Sequence, residues 1–192
     1  MKNYKSVRSS CRLNVTSGEM VCVMDANRNN YSLYLNDTFL THSTVIALHQ
    51  APVGTDDLPL KANDTVAQIL EQWSHQIPGC DAEETALLLG LEDVLEVPFT
   101  HLDKTDYYRL QLLKAILEDA PVIEFVAPWR VTDFSCLLHG AYTLSCQRSD
   151  FTEGRCPAFI AYDPGYLPGL AFVADRVLGR SEDTLVELLT DF

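Results

Sequence analysis

An α/β fold, a largely parallel sheet with an inserted α-helical block, is what this sequence predicts, on three observations. Short apolar runs rich in β-branched and aromatic residues recur at 20–24 (MVCVM), 44–48 (TVIAL), 122–126 (VIEFV) and 158–162 (AFIAY). Turn residues bound them, as they bound strands buried on both faces. Between the second and third runs, over residues 64–117, the apolar period becomes helical. Strands that alternate with helices pair in parallel, because a helical crossover returns the chain to begin the next strand in the same direction.

Residues 13–24 begin with Leu13 and Val15, turn at Ser17-Gly18 and run into MVCVM, which reads as a hairpin or bend followed by a buried strand. Residues 31–39 carry apolar side chains at 31, 33, 34, 35 and 39 after an Asn-rich start, and read as a short helix capped near Asn29 or Asn30. TVIAL is the next strand, closed by His49-Gln50 and a loop with Pro, Gly and Asp. In the helical block, Asp64 can cap TVAQILEQWSHQI and Asp81 can cap AEETALLLGL. Residues 106–117 (DYYRLQLLKAIL) put Leu110, Leu113, Ile116 and Leu117 on one stripe. VIEFV is a third buried strand, 132–145 read as helical, AFIAY as a fourth strand and 182–189 as a terminal helix. The chain thus divides into an α/β core of residues 1–63 and 119–192 and a helical subdomain of residues 64–118.

Composition narrows the function. At 47% hydrophobic over 192 residues, the chain can bury one good core. Its 27 acidic against 14 basic residues exclude nucleic acid and anionic lipid as expected partners, since both need clustered Lys and Arg. No apolar stretch reaches signal-peptide or membrane-spanning length, so no membrane insertion and a cytoplasmic location are expected. The six cysteines are then expected as reduced thiols. They lack paired CxxC spacing and the histidines lack HxxxH, so neither metal nor cofactor is expected.

Four segments in a fixed order carry a family resemblance. LNVTSGEMVCVM (13–24) leads into the polar loop DANRNNYSL (25–33), and His49-Gln50 follows the next strand. LGLEDVLEVPFTHLDKTDYYRLQLLKAILEDAPVIEFVAP spans 89–128, and AYDPGYLPGLAFVADRVL spans 161–178. In that order they resemble the ATP-binding subunits of ABC transporters: phosphate loop, Q-loop, signature motif with its helix and Walker B strand, and switch-histidine segment. The resemblance covers nearly the whole chain. It implies a P-loop NTPase-like fold, mostly parallel, with an inserted α-helical subdomain and an antiparallel β subdomain reduced by the short span between Ser32 and Gln50.

The departures fall on the chemistry. The family's G-x-x-G-x-G-K-S-T lands on residues 25–33, so Asp25, Arg28 and Asn30 stand at the glycines, Asn27 lies between them, Tyr31 replaces the lysine, and Ser32 keeps a hydroxyl. A carboxylate at Asp25 would repel a phosphate charge ~4 Å away by about 4 kcal/mol at an effective dielectric of 20. The signature L-S-G-G-E lands on Leu102, Asp103, Lys104, Thr105 and Asp106. The Walker B aspartate and catalytic glutamate land on Val126 and Ala127, and the switch histidine on Tyr162. These losses remove the magnesium hold and the carboxylate that polarises water. Gln50, Asp133 and Asp175 keep the family's residues.

The expectation is a pseudo-ATPase, not an enzyme. It would act by binding protein, as a regulatory or scaffolding subunit of a membrane-associated transport complex. An ABC permease, an active ABC ATPase or a second copy of the chain would be its partner, met through Trp73, Ile77, Tyr107 and Tyr108. The alternative is a small-molecule or nucleotide-derived ligand held by Arg28, Tyr31 and Tyr162 in the altered loop.

Overall fold

Where the apolar runs were expected to form strands, they do. The computed structural model describes residues 10–47, 59–126, 128, 133–152, 156–163, 174–181 and 184–188. In chain order the elements are β1 (Cys11–Val15), β2 (Met20–Val23), β3 (Tyr31–Leu35), β4 (Thr38–Phe39), β5 (Thr44–Ile46), α1 (Val66–Ser74), α2 (Ala82–Leu89), α3 (Lys104–Leu117), β6 (Val122–Val126), α4 (Phe134–Thr152), β7 (Ala158–Tyr162), β8 (Arg176–Ser181) and β9 (Thr184–Glu187). Six strands form one sheet in the order β5-β6-β7-β2-β8-β9. Every neighbouring pair in it is parallel except β8 with β9.

The period of two along each strand sets the layers. Met20, Cys22, Ile123, Phe125, Phe159 and Ala161 face the side on which all four helices pack, in one continuous core. Val21, Val23, Val122, Ile160 and Tyr162 face the other side, where a small sheet of order β1-β3-β4 covers them through Leu13, Val15 and Leu33. The β3–β4 pair is antiparallel, while β1 joins β3 in parallel, with β2 crossing between them in the larger sheet.

The helices start where side chains satisfy their first N–H groups. Thr65 and Gln68 form a capping box at α1, Asp81 accepts from Glu84 N at 2.8 Å at α2, and Asp103 caps α3. Gly90 ends α2 in the left-handed region, at φ 67°. Three elements differ from expectation. The N-cap of α1 is Thr65 and not Asp64, whose carboxylate instead accepts from Lys61 N at 2.8 Å. Residues 31–39 form β3 and β4, not a helix, because Tyr31 and Leu33 point into the small-sheet core while register with β1 runs from Cys11↔Tyr31 to Val15↔Leu35. Within the span read as a terminal helix, residues 184–187 pair with β8 instead.

The expected partner surface is corrected too. Trp73, Ile77 and Tyr108 are buried, and only Tyr107 of the four keeps partial exposure. The three side chains join the core between helices and sheet, with the Tyr108 ring stacked 6.1 Å from Phe125, which is what large apolar side chains on a helix–sheet contact do. Among the described residues, no helix is long and apolar enough to cross a membrane.

Candidate functional site

The loop after β2 occupies the position that the resemblance gives to phosphate. Its backbone is held by its own side chains. The Asp25 carboxylate accepts from Asn27 N at 2.9 Å, from Asn30 Nδ2 at 2.8 Å and from the Tyr31 hydroxyl at 2.9 Å. Asn27 Oδ1 accepts from Asn29 N at 3.1 Å, which caps a short 3-10 turn over Arg28–Asn30. Two backbone donors that could face an anion are therefore taken internally. Burial works to raise the Asp25 carboxyl, but the hydrogen bonds from Asn30, Asn27 and Tyr31 outweigh it and leave it below its usual range.

Beneath the loop lies a second, linked cluster. Glu124 sits in the middle of β6 with no exposed surface, on the face toward the small sheet. Arg28 reaches in and grips it with both arms, Nε to Oε2 at 2.8 Å and Nη2 to Oε1 at 2.7 Å. The Tyr162 hydroxyl donates to Oε2 at 2.7 Å, the Ser43 hydroxyl donates to Oε1, and Arg28 also donates to Ser43 at 3.0 Å. The hydrogen bond to Glu124 pushes the Arg28 guanidinium further up from an already high value, against the burial that works to lower it. Burial pushes both the Tyr31 and Tyr162 phenols up, and neighbouring carboxylates add to it. Their rings stack 5.8 Å apart and join the two clusters.

The structure thus brings together Asp25, Asn27, Arg28, Asn30, Tyr31 and Tyr162, and adds Glu124 and Ser43, which the sequence reading passed over. The signal for Glu124 was present: one acid inside the apolar run VIEFV must find a partner when that run is buried. Ser43 offered no such signal. Ser32, the loop position that keeps the hydroxyl of the pattern, lies in β3 and bonds Ser10.

The other expected positions are dispersed. Leu102 is buried, and Asp103 caps α3, accepting from Thr105 N at 2.7 Å and Asp106 N at 2.9 Å, so that Lys104, Thr105 and Asp106 form the helix's first turn. Burial, then the neighbouring Asp103, raises the Asp106 carboxyl. Val126 ends β6 opposite Tyr162. Asp133 is exposed with φ 54° just before α4, and its carbonyl accepts from Leu137 N. Asp175 ties β8 to β2 by accepting from Met20 N at 2.8 Å. Gln50 and Ala127 lie outside the described residues. A cavity of about 430 Å³ opens between α2 and α4, lined by Leu87, Gly90, Arg109, Asp133, Cys136 and His139 among others. Among the described residues, no three His, Cys, Asp or Glu side chains gather as a metal-binding group.

No protein-family model and no curated protein matches this chain. Solved structures do. An ATP-binding subunit of an ABC transporter shares 13% identity over 91% of this chain and 80% of its own, with a TM-score of 0.50. A nucleotide-free ATP-binding cassette of an ABC transporter shares 12% identity over 88% of this chain and 79% of its own, with a TM-score of 0.45. At such identity the likeness concerns fold alone, and the first of these carries it. The chain has the α/β fold of the ATP-binding subunits of ABC transporters, with a mostly parallel sheet and helices packed on one face.

Proposed function

We propose that this chain is a nucleotide-free protein built on an ABC ATPase fold. It acts by binding other proteins, as a regulatory or scaffolding subunit of a membrane-associated transport complex. One observation carries the reading: where the resemblance would put nucleotide phosphates, the chain places its own carboxylates. Asp25 closes the loop after β2, and Asp103 caps the helix at the signature position. A phosphate entering either place would displace a bonded carboxylate and meet its charge. Val126 and Ala127 at the Walker B positions add to this, since neither can hold magnesium or orient water.

The loop-ligand alternative has no such support. Arg28 is bound to Glu124, Tyr31 to Asp25 and Tyr162 to Glu124, so the polar atoms it would need are turned on one another. Calorimetry of the purified chain with magnesium-ATP is expected to show no binding and no turnover, and micromolar binding would overturn the reading. Its protein-binding half is tested separately, by affinity purification of the tagged chain from its native cell with mass spectrometry. Capture of a permease or an intact ABC ATPase supports it, and capture of neither counts against it.

A further inference from the structure

We propose that Cys146 and Cys156 are a modification site: a dithiol that forms a reversible disulfide by exchange with small-molecule disulfides, tying α4 covalently to the start of β7. Their sulfurs stand 3.4 Å apart, and both residues are partly exposed. An S–S bond is ~2.0 Å long, so closing it requires the two sulfurs to approach further by rotation of their side chains. Cys146 pushes up the phenol of Tyr142, one turn earlier on α4.

The remaining cysteines set this pair apart. Cys11 and Cys22 are buried, and burial, with Asp163 nearby, pushes the Cys22 thiol up to about 12. Cys80 donates to Gln147 Oε1 at 2.7 Å, and burial with Glu84 and Asp81 pushes it up to about 11. Cys136 is exposed on the first turn of α4. A thiolate is the attacking species, so Cys22 and Cys80 are poor nucleophiles near neutral pH.

The exchange balances in two steps. The thiolate of one cysteine attacks a sulfur of the external disulfide, forming a mixed disulfide and expelling one small thiolate. The other cysteine's thiolate attacks the protein-side sulfur, closing the intramolecular bond and expelling the second small thiolate. The two protons lost by the protein thiols end on the two released thiols, and the two electrons given up by the protein reduce the external disulfide. The bond reaches beyond its two residues, because the Cys156 carbonyl accepts from Gly18 N at 2.9 Å. It therefore also anchors the turn that leads into β2 and its loop.

The test is to equilibrate the full chain in glutathione buffers of graded oxidised-to-reduced ratio, block free thiols by alkylation and map the products by mass spectrometry. The expected result is one intramolecular link between the peptides holding Cys146 and Cys156, with Tm raised by about 5 °C and restored by dithiothreitol. Cys136→Ser is expected to behave alike. Cys156→Ser is expected to leave Cys146 carrying glutathione, with no rise in Tm. Links between chains, separate glutathione adducts on Cys146 and Cys156, or a pair that stays reduced at ratios where Cys136 is modified would each overturn the proposal.

Discussion

Glu124 has no exposed surface, yet the groups around it are arranged for a charged carboxylate: two arms of Arg28, the Tyr162 hydroxyl and the Ser43 hydroxyl. The Arg28 end of the pair is 37% exposed, so most of the desolvation falls on the acid. Breaking such a pair strands a buried charge, whereas replacing both partners with apolar groups is often nearly neutral. Arg28→Met is therefore expected to destabilise the fold by about 3 kcal/mol, the lower end of the range for buried pairs. The double variant Arg28→Met with Glu124→Leu should recover more than half of that loss. Urea denaturation checks both, and a double variant no better than the single would show that the cluster serves packing and not charge compensation. At this scale the sequence was half legible. It marked Asp25, Arg28, Tyr31 and Tyr162 as altered residues, and it offered the acid in VIEFV, but it could not say that the arginine of one segment meets the acid of another about a hundred positions on.

Among the elements, the contact between α2 and α4 is the one that a single atom decides. A Cβ placed on Gly140 would stand 1.9 Å from the Leu88 carbonyl oxygen, a backbone atom that cannot step aside. Gly140→Ala must push the two helices apart, and it is expected to cost about 3 kcal/mol, at the upper end for overpacked cores. A loss under about 0.5 kcal/mol by urea denaturation would mean that α4 shifts freely against α2. Elements whose period was clear were legible, from MVCVM and AFIAY to the three helices between β5 and β6. Two were not. Residues 31–35 alternate buried and half-buried, and Asn36 and Asp37 both hold positive φ in a two-residue turn that aligns Leu35 with Thr38. That is hairpin chemistry, but the Asn-rich start imitated a helix cap. Residues 182–189 (EDTLVELL) have leucines and acids that suit a helix, and pairing of 184–187 with β8 overrode that preference.

For the whole molecule, the strand at 31–35 bears on function more than any single residue change. A phosphate loop works because a helix begins directly after it and turns its first N–H groups and dipole on the anion. Here the chain leaves the loop as β3, paired along its length with β1, and Tyr31 and Leu33 are part of the core between the two sheets. Restoring the family's residues should therefore not restore its chemistry. The variant with Asp25→Gly, Arg28→Gly, Asn30→Gly and Tyr31→Lys restores the three glycines and the lysine of the loop pattern. It also removes the Asp25 hydrogen bonds, strands Glu124 and places a lysine in the small-sheet core. The expected outcome is a less stable protein that still fails to bind magnesium-ATP, read by calorimetry together with thermal unfolding. Micromolar binding in a folded variant would show that four side chains alone separate this chain from a nucleotide site. A folded variant that does not bind would place the difference in the course of the backbone, where β3 has taken the place of a helix.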